Sequence, residues 1–184
     1  MIDFNSQNEW QHRDPDTGLV FPWYTKPALD EIVTWDLKDK KVFEYGCGAS
    51  SIYFAAKGAN VYGCDVSGEY LQAINSALVG QLIKGGLFYQ VEDRDLYISF
   101  PSTRGILFDI IIVDGDPVEW RDGCIMTALK YLKPEGVLII DNWDQPSVWS
   151  PSQQTKEAVL SYPHKIFKQP GHPDWQTLIA WKDH

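Results

Sequence analysis

The sequence predicts an α/β domain, a three-layer sandwich whose seven-stranded sheet is mostly parallel and carries an antiparallel last strand. Three observations lead there. Strand-like and helix-like segments alternate from residue 27 onward. Phe108-Asp109-Ile110-Ile111-Ile112-Val113-Asp114 is apolar on both faces, as a strand covered by helices on either side must be. The last two strand-like runs, His164 to Lys168 and Gln176 to Trp181, are separated by seven residues, Gln169 to Trp175. That gap is too short for a helical crossover, so the final strand must run antiparallel.

The elements follow in order. Residues 1–26 are polar and aromatic with a turn-forming stretch, Asp14-Pro15-Asp16-Thr17-Gly18, and read as an irregular arm folded over the active site. Pro27 suits a first helical turn, with Leu29, Ile32 and Val33 on its buried face. Lys41 to Tyr45 is a strand stopped by Gly46-Cys47-Gly48, and Ser50 to Lys57 a helix ended by Gly58. Asn60 to Asp65 is the next strand; Ser67 caps a helix that buries Leu71, Ile74 and Leu78. Leu87 to Val91 is the third strand and Phe108 to Asp114 the fourth, in the sheet centre. A helix from Arg121 to Leu132 follows, then Pro134-Glu135-Gly136 turns into the strand Val137 to Asp141, and Gln153 to Leu160 reads as a helix. The 184 residues hold one domain, with no internal repeat and no room for a second.

Composition narrows the function. Hydrophobic residues at 44% and charged residues at 22% exclude a disordered or collagen-like chain. A net charge of −9 repels phosphate backbones and anionic lipid, so nucleic acid is disfavoured as a partner. The three cysteines, Cys47, Cys64 and Cys124, form no CxxC pair, which fits a reducing cytoplasm. No apolar run approaches the ~18 residues of a membrane span.

In an open parallel sheet, ligands sit beyond the carboxyl ends of the strands. Here those ends are acidic. Glu44-Tyr45-Gly46-Cys47-Gly48-Ala49-Ser50-Ser51 joins a strand to a helix amino terminus through glycines that let backbone amides approach a ligand. Asp65 ends the next strand, where a carboxylate can accept both hydroxyls of a ribose. Together they indicate a cofactor containing a nucleoside. Ser51 stands where a dinucleotide fingerprint has its third glycine, and Glu44 would lie badly beside a pyrophosphate. Both favour a sulfonium cofactor over a nicotinamide dinucleotide.

These segments resemble the class I S-adenosylmethionine-dependent methyltransferases, a Rossmann-like family. Val42 to Gly48 is similar to its first motif, Val61 to Asp65 to its second, and Phe108 to Gly115 and Leu132 to Asn142 to those of its fourth and fifth strands. The resemblance implies that Glu44, Gly46 and Gly48 line the methionine moiety, with Ser50 and Asp114 completing the contacts. It further implies that Asp65 holds the ribose, that Val66 packs on the adenine, and that Asp93 or Asp95, with Asp93 favoured, reaches the adenine edge.

Asp114, Asp141 and Asn142 end two adjacent strands, where their oxygens could converge on a hard cation such as Mg²⁺. The set is similar to that of catechol and caffeoyl-coenzyme A O-methyltransferases, and implies metal-assisted O-methylation. That family carries a lysine base where this chain has Pro117, leaving Asp114 and Asp116 as candidate catalytic carboxylates, with a turn cap as the alternative role of Asp116. Asp141-Asn142 would otherwise simply end a strand. Trp23, Tyr24, Trp120, Trp143 and Trp149 are candidates for an aromatic acceptor pocket, or for plain core. His12, His164 and His172 read as surface residues, and Arg121 either binds an acidic substrate group or faces solvent. The expected activity is methyl transfer to a small molecule, the alternatives being a non-catalytic cofactor-binding module and an NAD-dependent dehydrogenase.

Overall fold

In a computed structural model, which describes residues 14, 18, 21–80, 83 and 86–183, seven strands form one sheet. They are β1 (Lys41–Tyr45), β2 (Asn60–Asp65), β3 (Gly86–Gln90), β4 (Phe108–Val113), β5 (Leu132–Asp141), β6 (His164–Gln169) and β7 (His172–Trp181). Their order is β3-β2-β1-β4-β5-β7-β6, so the fully apolar β4 is central. β1 to β5 pair in parallel and β7 pairs antiparallel with both β5 and β6, as the short final connection requires. The order reverses between β1 and β4, which opens the crevice where ligands bind in such sheets.

Among the described residues six α-helices cover the two faces: α1 (Lys26–Ile32), α2 (Ala49–Ala56), α3 (Gly68–Gly80), α4 (Arg94–Ser99), α5 (Arg121–Tyr131) and α6 (Gln153–Leu160). Alternation along each strand divides the core. Val42, Ile110, Ile112 and Ile139 pack against Leu29, Phe54 and Ile74 of the first three helices. Phe43, Ile111, Leu138 and Ile140 pack against Tyr97, Ile125 and Val159 of the last three. The expected cap of α3 is present, the Tyr70 amide donating to the Ser67 hydroxyl at 3.4 Å.

Three boundaries differ from the sequence reading. Residues 94–104 form α4 and a 3₁₀ turn, a stretch to which the sequence reading assigned no helix; a helix of six residues is too short to show a helical period, yet the two elements bury Tyr97 and Phe100. β5 begins at Leu132, since Phe108 pairs with Leu132 before the register shifts to Ile110 against Val137. β7 begins at His172, because Pro170-Gly171 closes the hairpin in two residues with Gly171 at φ +80°. Most of the expected arm, with His12, lies outside the described residues. Within it, the Gly18 amide donates to the Asp14 carbonyl at 2.8 Å, as the turn-forming composition implied.

Candidate functional site

The turns after β1 and β4 meet at the reversal point, and around them opens a cleft of about 730 Å³. Gly46 takes φ +80°, its amide donates to the Cys64 carbonyl at 2.9 Å, and the Asp114 amide donates to the Tyr45 carbonyl at 3.0 Å. Gly48 differs in kind: its backbone is extended, and a Cβ there would meet no atom within 4 Å. No packing against the chain itself therefore calls for a glycine at Gly48, which leaves open space on the cleft wall at the start of α2. α2 also lacks a side-chain cap, so its first amides have no side-chain partner at this end.

Asp65 joins the two walls. One carboxylate oxygen accepts from the Cys47 amide at 2.9 Å and the other from the Ser67 amide at 2.7 Å. Burial raises its pKa while these amides pull it down. Each oxygen keeps a second lone pair for a ligand, and Val66 and Tyr70 extend the same wall. Glu44 stands one layer beneath. It is fully buried and accepts from the hydroxyls of Ser50 and Ser51, and burial pushes it up to about 8. Ser50, not Glu44, reaches the cleft surface. Asp93 caps α4 by accepting from the Leu96 amide at 2.8 Å, and is not part of the cleft wall.

Asp114 faces both this cleft and a second cavity of about 600 Å³, the two sharing Trp23, Asp114 and Asn142. Burial raises Asp114 to about 6 against the attraction of Arg121, whose Nη2 lies 3.4 Å from Asp114 Oδ1. Arg121 does not face solvent. It is buried, its Nε donating to the Gly115 carbonyl and its Nη1 to the Asp141 carbonyl, both at 2.9 Å, so it ties the ends of β4 and β5 together. Asp116 is exposed on the cleft wall.

The residues expected to hold Mg²⁺ do come together, but as a poor donor set. Asp141 is buried, accepts from the Thr177 hydroxyl at 2.7 Å, and is held well above the usual carboxylate range by burial and by Asp114. The Asn142 side-chain Nδ2 donates to Gln145 Oε1 at 3.1 Å. A magnesium site wants ionised oxygens in octahedral array, whereas one carboxyl here favours its proton. No group of three or more His, Cys, Asp or Glu suited to a metal ion occurs among the described residues. The metal expectation is not supported.

The aromatic expectation divides. Tyr24, Trp143 and Trp149 are buried, and Trp120 stacks edge-on against Tyr97. Only Trp23, 55% exposed, lines the cavities. The second cavity takes its remaining aromatic surface from Trp175, with His172 and Asp174 beside it. Sequence reasoning missed these residues, although the signal existed. An antiparallel β7 must start at the carboxyl edge, so the β6–β7 turn lies over the site.

No protein-family model matches the chain. The chain is 28% identical over 132 residues to the ribosomal protein L11 methyltransferase of Aliivibrio fischeri, an alignment that takes in 67% of this chain but only 42% of that protein. It thus spans less than half the length of this curated relative. Among solved structures, the magnesium protoporphyrin IX methyltransferase of Synechocystis PCC 6803 with bound S-adenosylmethionine superposes with a TM-score of 0.63 at 19% identity, covering 85% of this chain and 79% of that one. The 16S rRNA N2 G1207 methyltransferase of T. thermophilus, in complex with the same cofactor and guanosine, gives 0.63 at 18% identity, covering 85% and 41%. The fold is that of the class I S-adenosylmethionine-dependent methyltransferases, as the motifs implied. The narrower likeness to catechol-type enzymes gains no support from these proteins.

Proposed function

We propose that the chain binds S-adenosylmethionine in the cleft at the reversal point and transfers its methyl group to a small molecule held in the adjoining cavity. The charge of the cleft carries this reading. Asp65, Asp114 and Asp116 line it, and among the described residues its one cation is Arg121, already paired with Asp114, with no lysine present. A sulfonium suits such walls, whereas the pyrophosphate of a nicotinamide dinucleotide would meet carboxylates.

The residues present fit the cofactor. Asp65 would accept the ribose hydroxyls with its free lone pairs, Val66 would cover the adenine, and Gly48, Ser50 and the first amides of α2 would receive the methionine carboxylate. When bound, the cofactor supplies an electrophilic methyl on a good leaving group. The chain then needs mainly to align the acceptor and take its proton. Asp114, facing both cavities, is placed for the proton, with Asp116 as a neighbour that raises its pKa. Glu44 supports Ser50 from beneath instead of touching the ligand.

The acceptor class is our own reading. The similar proteins described above are named for a ribosomal protein, a porphyrin and an rRNA, so the fold does not select one. A cavity of about 600 Å³ and a net charge of −9 favour a small molecule over a polynucleotide. Oxygen as the methylated atom rested on metal activation, which the donor set does not provide. Pro117, standing where a lysine base was expected, supports a second reading, a cofactor-binding module without turnover. Three buried free cysteines accord with a reducing compartment such as the cytoplasm, and no helix among the described residues is long and apolar enough to cross a membrane.

The test is calorimetric titration with S-adenosylhomocysteine and, separately, with NAD. Binding of the first alone, weakened roughly 10- to 100-fold in Asp65→Ala, is expected. Binding of NAD alone would overturn the reading, and binding without turnover on any acceptor would leave the module.

A further inference from the structure

We infer that the second cavity is a subsite for a planar amine, a small aromatic molecule carrying an ammonium group and an oxygen or ring-nitrogen acceptor. The inference rests on the cofactor reading for its place in a reaction, but the evidence for the ligand class lies in the cavity itself.

The indole nitrogen of Trp175 is buried and, among the described residues, has no hydrogen-bond partner. An indole N–H can only donate, and buried donors are nearly always paired, so an unpaired donor on a ring that borders the cavity is one that a bound acceptor would satisfy. Trp23 lines the same space from the other end of the chain and is 55% exposed. Two indoles on one cavity favour a flat ring, and their π faces favour a cation.

Charge points the same way. Asp114, Asp141 and Asp174 line the cavity, and among the described residues no lysine or arginine does. Arg121 lies behind Asp114 and offsets it, and Asp141 is buried and held by the Thr177 hydroxyl, which leaves exposed Asp174, just past the Pro170-Gly171 turn, as the outer anchor for an ammonium. A carboxylate or phosphate ligand would find no cation among these residues. The ammonium serves here as a recognition handle, whichever atom receives the methyl group.

Three probes with the same phenol ring test this: tyramine, its alcohol counterpart tyrosol, and 4-hydroxyphenylacetate. Binding to the full chain is read by saturation-transfer NMR, with dissociation constants from titration, in the presence and absence of S-adenosylhomocysteine. Tyramine should bind about tenfold more tightly than tyrosol, with no signal from the carboxylate. Trp175→Phe, which keeps a ring and removes the donor, should weaken tyramine roughly three- to tenfold. Asp174→Asn, at an exposed position that folding does not depend on, should bring tyramine and tyrosol to within about threefold. Equal binding of the carboxylate, no effect of either substitution, or no binding by any probe would overturn the assignment. Amine selectivity without S-adenosylhomocysteine binding would remove the methyl-transfer reading and keep the subsite; the reverse result would do the opposite.

Discussion

Gly46 and Gly115 touch backbone to backbone: a Cβ on Gly46 would lie 2.2 Å from the Gly115 Cα. This contact locks the turn after β1 onto the turn after β4, and Gly46 holds it at φ +80°, where a side chain is strained. Gly46→Ala should therefore cost roughly 2–5 kcal/mol, strain and overpacking together. Gly48→Ala should change stability by less than about 1 kcal/mol, because nothing lies within 4 Å of its Cβ position. The ranking should invert for ligand: Gly48→Ala loses S-adenosylhomocysteine affinity while remaining folded. Denaturant unfolding and calorimetry on both variants check this, and equal destabilisation would refute it.

Glu44 makes stability depend on pH. Its pKa is raised to about 8, chiefly by burial, while in the unfolded chain it sits near 4.5. Between those values the folded state binds more protons than the unfolded one, so stability is full below about 4.5 and falls as pH rises toward 8. One such group contributes at most ~1.4 kcal/mol per pH unit. Asp65, Asp114 and Asp141 are also raised and act in the same direction. Glu44→Gln keeps the shape and can still bond Ser50 and Ser51, so the variant should gain on the parent steadily from pH 5 to pH 8. Parallel stability curves for the two proteins would show that Glu44 is not the group responsible.

How legible this molecule was depends on the range of the interaction. β4 declared itself because Phe108 to Val113 is apolar on both faces, and the Gly46-Cys47-Gly48 turn and Asp65 did so because strand ends carry the ligand contacts in such sheets. Those signals are local. The residues misread were decided by partners far along the chain. Arg121 looked like a surface cation because nothing near it announces the carbonyls of Gly115 and Asp141. Asp141 looked like a metal ligand because Thr177, which donates to it, is 36 residues away and itself accepts from the Thr25 amide at 3.0 Å. Trp175 was not singled out at all, because its place over the cavity follows only once the direction of β7 is traced to the carboxyl edge.

Arg121 should prove one of the most costly residues to remove. Arg121→Met leaves two buried carbonyls unpaired and Asp114 without its cation, a loss of about 3–5 kcal/mol. Arg121→Lys should recover only part of it, since an ammonium lacks the planar fork that serves the Gly115 and Asp141 carbonyls together. Urea unfolding of the three proteins decides the matter; a methionine variant within about 1 kcal/mol of the parent would mean that the guanidinium does not hold these strand ends.

Asp114 sets the expected pH profile of turnover. With its pKa raised to about 6 by burial, it is ionised at neutral pH yet close enough to neutrality to give up and take a proton readily. If it accepts the proton of the acceptor, kcat/KM should be level above about pH 7 and fall as pH drops through 6. Asp114→Asn should lower kcat by about 10²–10⁴ while leaving S-adenosylhomocysteine affinity within a few-fold. Asp116→Asn should act differently, because its charge helps to raise Asp114: the acid limb should move to lower pH with kcat on the plateau little changed. A pH profile unmoved by Asp116→Asn, or an Asp114→Asn variant whose lost activity is matched by lost cofactor binding, would place Asp114 in cofactor binding and leave the proton to another group.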